Sequence, residues 1–321
     1  MGLTRPLRSE IEKRNEIDQR GRTPREHIYG RRREARERPF NREASKMLND
    51  IVVHIPVYRP ADPVIDCAVS LAGLFGAHLD GIARVYQSLN PWMGPEASAV
   101  AAATQYETGV EQAACALVQF EIAARHMGIS HGARSLFNVS YAETQTLSEL
   151  SRLYDLNIVI QPDRSRPSHG DMLPEIVLFN SGRPMLMVPY IYRGPLKLDH
   201  IMICWDGGRP AARAVHDAMP LLLKAEAIDV VTVNEDKGHL REASSAALIA
   251  HLARYDLSAR LHGFTADAPN IHNSILSLAA DNSTDLIVMG GYGHSKFREF
   301  IWGGVTRGIF ESLTVPALIS H

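Results

Sequence analysis

Long apolar runs are missing from this chain. No stretch approaches the ~18 residues a spanning helix needs, which excludes an integral helical membrane protein. Cysteine is scarce as well. Cys67, Cys115 and Cys204 stand far apart beside apolar residues and make neither a disulfide framework nor a CxxC metal knuckle, so a reducing cytoplasm is the expected compartment. Net charge is almost absent, with 34 Lys+Arg against 36 Asp+Glu leaving −2. Signature motifs are absent too: no GxxxxGK[ST], no GxGxxG after a first strand, no GxSxG elbow and no HExxH. What remains is ordinary globular composition, 45% hydrophobic and 22% charged over 321 residues, long enough for two domains with a core each. A small stapled scaffold and a disordered chain are excluded.

The near-zero charge is an average of two unlike parts. Residues 1–46 hold 14 Lys+Arg and 8 Asp+Glu, a balance of +6, which leaves 20 and 28, or −8, for residues 47–321. The basic stretch includes Arg31-Arg32-Arg33 and has too few large apolar residues to offset its ordering entropy. Three readings stay open for it: a solvated, disordered tail, partly helical around Glu10–Arg20; a basic arm for nucleic acid or anionic lipid; or a stretch outside the working protein, since Met47 directly precedes the first good strand. Its acidic residues argue against a transit peptide, and it lacks an apolar signal core. The acidic body repels nucleic acid, so such a partner is expected only through residues 1–46. No membrane partner is expected.

From Met47 the chain alternates β-rich runs with amphipathic stretches. Strands are expected at Asp50–Pro56, His78–Val85, Ala133–Val139, Asn157–Gln161 and Met185–Pro189. Helices are expected at Pro63–Phe75, Gly109–Met127, Ala142–Tyr154 and Met172–Phe179, and a long polar connection at Tyr86–Thr108. A second series follows, with strands at His200–Trp205, Ile228–Asn234, Ala259–Thr265, Asp285–Met289 and Val315–Ser320. Its helices fall at Ala211–Leu223, Glu242–Tyr255, Ile271–Ala280 and Phe297–Ser312. Such alternation predicts a parallel sheet covered on both faces. Asp155-Leu156-Asn157-Ile158-Val159-Ile160 parallels Thr284-Asp285-Leu286-Ile287-Val288-Met289, and Pro184-Met185-Leu186 parallels Pro316-Ala317-Leu318, an internal repeat. The expected division is 1–46 as tail, 47–194 as a degenerate domain and 195–321 as a second domain, meeting at Gly194-Pro195.

In an open parallel sheet, ligands sit beyond the carboxyl ends of the strands. Two loops of the second half fall there: Cys204-Trp205-Asp206-Gly207-Gly208-Arg209, and Gly290-Gly291-Tyr292-Gly293-His294-Ser295-Lys296, with Gly303-Gly304 farther on. Glycines let backbone approach a phosphate, and amides at a helix start attract anions. Gly290-x-x-Gly293, nine residues (His294–Trp302) and then Gly303 resemble the G-2x-G-9x-G-[S/T] phosphate motif of the universal stress protein (UspA-like) family. The resemblance extends over residues 47–321 as a tandem pair and is strongest over Leu198–His321. It implies two five-stranded Rossmann-like (adenine-nucleotide α-hydrolase-like) α/β domains, dimer-style packing of the two, a cytoplasmic stress role and, in some members, ATP binding without catalysis.

On that resemblance Asp206, with Gly207 beside it, meets the ribose and Val231 or its neighbours lie beside the adenine. Gly290, Gly293 and Gly303 wrap the phosphates, and no metal enters beyond nucleotide-bound Mg; apart from the resemblance, His294 and Lys296 are candidate phosphate contacts, against the bland reading of a solvated loop histidine and lysine. Gly304 stands where the motif has Ser or Thr, and the missing hydroxyl donor costs about 0.5–1.5 kcal/mol. Thr306, two residues on, faces elsewhere on a helix. The bland readings are that Asp206 caps the helix near Arg209 and that Gly291 and Gly293 serve a turn. The first half reads Gln161-Pro162-Asp163-Arg164-Ser165-Arg166 in place of the glycines and Ile55-Pro56-Val57 in place of Asp206, so it is expected to be a packing partner without a nucleotide site. Cys204 is expected to be inert, and no base is poised against a nucleophile. The expectation is a non-catalytic stress-response module with an adenine-nucleotide site in its second half, or else an interaction scaffold with both sites vestigial, or a weak ATPase. The final strands Met185–Pro189 and Val315–Ser320 are the expected pairing edge. Further homo-oligomer formation is left open.

Overall fold

The structure, a computed structural model, describes residues 48–86, 95–138, 143–166, 168–235, 242–267, 270–291 and 310–321. The expectations for residues 1–46 lie outside them. Ten strands form one sheet: β1 Asp50–Ile55, β2 His78–Tyr86, β3 His131–Asn138, β4 Leu156–Ile160, β5 Met185–Val188, β6 His200–Cys204, β7 Ala227–Val233, β8 Ala259–Phe264, β9 Leu286–Gly290 and β10 Ala317–Ser320. Helices are α1 Asp62–Phe75, α2 Pro95–His126, α3 Glu143–Ser151, α4 Leu173–Asn180 (after a 3-10 turn at His169–Met172), α5 Arg209–Leu222, α6 Ser245–Ala253 and α7 Ile271–Asp281. The helix expected at Phe297–Ser312 lies outside the described residues except for its last three, which are helical.

Strand order is β3-β2-β1-β4-β5-β10-β9-β6-β7-β8, parallel throughout except where β5 and β10 meet antiparallel. The first five strands and the last five thus run in the same internal order, and the two final strands expected to meet do so. Val, Ile and Leu fill β1, β4 and β9, as strands buried on both faces require. At the junction Leu186 faces Leu318 and Met185 faces Ile319, all fully buried. Gln161 Nε2 donates to the Phe310 carbonyl at 2.8 Å, and Arg164 pairs with Glu311, so loops also tie the halves together.

Register corrects the repeat by one residue. Ile51 faces Leu156 in the first half and Ile201 faces Leu286 in the second, so Leu156 corresponds to Leu286 and Asp155 to Asp285. The two aspartates do the same work. Asp155 Oδ2 accepts from the Asp50 N–H (3.1 Å), and Asp285 Oδ2 from the His200 N–H (2.9 Å), each pinning the start of its half's first strand.

The polar connection expected at Tyr86–Thr108 is a correction. Helix α2 begins at Pro95, not Gly109, and runs for 32 residues. Its first turns are alanine-rich, and alanine costs least in a helix, although no clean apolar stripe announces it.

Near the amino ends of the strands, Asp229 on β7 is fully buried. It accepts from His200 Nε2 (2.8 Å), Arg260 Nε (3.0 Å) and Asn282 Nδ2 (3.0 Å), and His262 Nε2 lies 3.1 Å from Oδ1. Burial pushes the carboxyl's pKa up, but the hydrogen bonds and charges from His200 and His262 outweigh it and hold the group below its usual value.

Candidate functional site

Strands β6 and β9 are neighbours, with Cys204 facing Met289, and the strands that follow them, β7 and β10, lie in opposite directions along the sheet. That is the switch point at which a doubly wound sheet opens a crevice. Asp206 is exposed there, two residues beyond β6, and its Oδ1 accepts from the Gly208 N–H at 2.7 Å in an Asx turn. The cap of α5 is Gly208, extended at φ −80 and ψ 162, and no side chain bonds the first-turn amides from the cap position. Asp206 therefore shapes the loop before the helix; it is not the helix cap.

The glycines here have structural reasons of their own. Gly207 has φ +72, and a Cβ on it would lie 2.8 Å from the Ala243 carbonyl, which also accepts from Trp205 Nε1 at 3.0 Å. On Gly290 a Cβ would lie 2.5 Å from the Ala211 nitrogen, because the end of β9 abuts the first turn of α5. Gly291 donates its N–H to the Ser320 carbonyl (2.8 Å), and a Cβ there would lie 2.9 Å from Leu178. Val231 pairs with Cys204, is 1% exposed and packs in an apolar cluster with Met202, Ile287 and Met289. Asp206, Gly207, Val231 and Gly290 thus converge on one end of the sheet. Gly293, His294, Gly303 and Gly304 lie outside the described residues, as do Lys296 and Thr306. The Cys204 thiol is pushed up to about 12 by burial and then by the Asp206 charge, so at neutral pH it is not a thiolate nucleophile. No cluster of three or more His, Cys, Asp or Glu suited to a metal occurs among the described residues.

In the first half, Pro56 follows β1 where Asp206 follows β6. A cavity of about 40 Å³ opens at this end of β1, β2 and β4. Its lining includes His54 from β1, Tyr58 and Arg59 from the next loop, and Arg84 and Tyr86 from β2. His54 is 2% exposed, and burial, followed by the charge of Arg84, lowers its pKa to about 4. The Arg84 guanidinium, also buried, lies 4.7 Å from the centre of the Tyr86 ring. Arg59 donates to the Gln161 carbonyl (3.1 Å) and Ser168 Oγ (2.6 Å) and pairs with Asp171, which braces the cavity wall. Sequence reading passed over this place. The available signal was a histidine and an arginine inside otherwise apolar strand runs, where polar groups need a reason to be buried.

Residues 197–321 match the model of the universal stress protein family. A curated relative, universal stress protein Slr1230 of Synechocystis, is 23% identical over 148 residues, 45% of this chain and 49% of that protein, so the match spans about half of the relative. Among solved structures, a universal stress protein from Archaeoglobus fulgidus superposes with a TM-score of 0.63 at 14% identity, covering 86% of this chain and 97% of that one. A putative universal stress protein from Pseudomonas aeruginosa gives 0.54 at 17% identity, covering 86% and 94%. At such identities the structures establish likeness of fold.

Proposed function

We propose that this chain, whose residues 197–321 match the model of the universal stress protein family, is a stress-response module of two universal-stress-type domains, 47–194 and 195–321, and that the second binds an adenine nucleotide without turning it over. One observation carries the reading: an exposed aspartate, Asp206, held by its Asx turn at the switch point between β6 and β9. A carboxylate is acceptor-only and suits ribose hydroxyls, so Asp206 fits the sugar. Val231 supplies apolar floor near the base, and the Gly290 end of β9, close against the α5 amides, leads toward the phosphates. Gly293, His294, Gly303 and Gly304 complete the phosphate loop on this reading, and any Mg arrives with the nucleotide. Bound ATP acts by altering the surface offered to a partner, with no base or nucleophile required of the protein. No helix among the described residues is long and apolar enough to cross a membrane, and a cytoplasmic setting is part of the proposal.

A second reading has specific support. Gly207 and Gly290 are each accounted for by close packing, and Val231 is almost wholly covered. On it the site is vestigial and the ten-stranded sheet is an interaction scaffold. Equilibrium binding of labelled ATP to the full chain separates the two. The nucleotide reading expects saturation that Asp206→Ala weakens, whereas absence of saturable binding at millimolar ATP leaves the scaffold. ATP turnover lost in Asp206→Ala would instead establish a weak ATPase.

A further inference from the structure

We propose that Ser130, His78 and Asp80, at the amino ends of β2 and β3, form an esterase-type site, with Ser130 the nucleophile, His78 its base and small activated carboxylic esters the substrate class. The proposal does not depend on nucleotide binding in the other half.

The sequence alone sets no base against a nucleophile, since Ser130 and His78 stand 52 residues apart; the parallel pairing of β2 with β3 brings them together. Leu79 faces His131, so His78 and Ser130, one residue earlier on each chain, are cross-strand neighbours. Ser130 Oγ lies 2.7 Å from His78 Nδ1, and His78 Nε2 lies 3.2 Å from Asp80 Oδ1. Asp80 Oδ2 accepts from the hydroxyl of Tyr154, a buried residue. Burial and then that bond push the phenol up to about 12, so it keeps its proton and donates. An acceptor oxygen at Nε2 fixes the ring proton there, and Nδ1 turns its lone pair to Ser130, whose O–H donates to it. Nucleophile, base and orienting carboxylate thus stand in the order that acyl transfer uses.

The fold itself does not require this arrangement. Asp229 is third in β7 as Asp80 is third in β2, yet Ala227 begins β7 where His78 begins β2. Gly132 leaves room for the pair, because a Cβ on it would collide with Asp80 Oδ1. Ser130 is exposed and the His78 side chain is 37% exposed, so a substrate reaches both from solvent. The Ser130 N–H makes no hydrogen bond among the described residues and is the donor left for a developing oxyanion. A site this open selects by reactivity, which favours a small acyl group on a good leaving alcohol. Ser130 Oγ attacks the ester carbonyl while its proton passes to His78 Nδ1. The bond from acyl carbon to alcohol oxygen breaks, and the alcohol leaves with that proton. Water then gives one proton to His78 and its hydroxyl to the acyl carbon, the bond to Ser130 breaks, and Ser130 regains the proton as the acid departs. Ester and water become acid and alcohol, with no redox partner.

The test is incubation of the full chain with p-nitrophenyl acetate, following release of p-nitrophenolate and mapping acetyl groups by peptide mass spectrometry. Acetylation of Ser130 ahead of every other serine is expected, with turnover beyond one equivalent per chain, and Ser130→Ala is expected to lose both. His78→Gln is expected to slow acetylation of Ser130 at least about a hundredfold, the share a positioned base supplies. Asp80 is a positioning residue. Asp80→Asn sets an amide N–H where a carboxylate oxygen accepted, so it is expected to slow acetylation and to move the His78 ring proton from Nε2 to Nδ1, read by nitrogen-15 NMR. A merely structural role would not move that proton. Should Asp80→Asn fail to fold, Ser130→Ala and His78→Gln decide alone. Ser130 left unacetylated, acetylation as fast in His78→Gln as in the wild type, or release that stops at one equivalent would each overturn the proposal.

Discussion

His54 makes the stability of this protein depend on pH between about 6.5 and 4. Its ring is 2% exposed and its pKa falls from 6.5 to about 4 in the folded chain, through burial first and the Arg84 charge second. In the unfolded chain the imidazole takes a proton as pH drops below 6.5, while the folded protein resists until about 4. The unfolded state therefore binds more protons across that interval. The stabilising contribution of a neutral His54 is complete above pH 6.5 and is lost as pH falls to about 4. At about 1.4 kcal/mol per pH unit the loss is on the order of 3 kcal/mol, a large share of a domain's usual stability. Urea unfolding of the wild type and His54→Leu across this range measures it. The wild type should lose about 3 kcal/mol more than the variant between neutrality and pH 4. If the two proteins show the same pH dependence, the buried neutral imidazole has been misread. Below pH 4 the carboxylates take over, which bounds the window.

Asp229→Asn should cost on the order of 3 kcal/mol at neutral pH, because it leaves Arg260, His200 and His262 around a buried site without its anion. Denaturant midpoints read this directly. The folded Asp229 carboxyl titrates below its usual value, so its contribution is present at neutral pH and fades only in strong acid, as pH falls through the lowered value. Gly290→Ala should destabilise by about 1–3 kcal/mol, since its Cβ would lie 2.5 Å from the Ala211 nitrogen. A stable Gly290→Ala protein would show that α5 can yield there, and would return the glycine to a ligand-facing role. Asp206→Ala should change thermal stability by less than about 1 kcal/mol, because the Asx bond it removes is exposed. A larger loss would make Asp206 a structural residue first.

The alternation of strand and helix could be read because its physics is local. Runs such as Ile51–Val53 and Leu286–Met289 are continuous β-branched or aliphatic stretches, and α5 carries a clear apolar face in Ala211, Ala214, Val215, Ala218 and Leu222. Helix α2 escaped because alanine favours helix without marking a face, so periodicity had little to detect. The position of Asp206 in the loop after β6 could be read because a strand end followed by Asp-Gly-Gly is a loop in any context. The polar wall of the first-half cavity could not. It is assembled from β1, β2 and the loop after β1, and only the β1–β2 register sets His54 opposite Ile82 and two residues from Arg84. The one-residue slip in the repeat has a similar cause. Two aliphatic strands align equally well in either register until the aspartate ahead of each is seen to hold a first-strand amide.

The place of β10 bears on how the chain reaches its fold during synthesis. Residues 317–320 are the last described strand to emerge, yet they fill the middle of the sheet between β5 and β9. The edge of β5 must wait, backbone donors and acceptors unpaired, while about 130 further residues are translated. At roughly 5–20 residues per second that is an exposure of about 6 to 26 seconds, long enough for a neighbouring nascent chain to supply the missing strand. Met185–Val188 is apolar and uncharged, the composition that invites such pairing. Prompt formation of the second half is therefore a requirement for the solubility of the first.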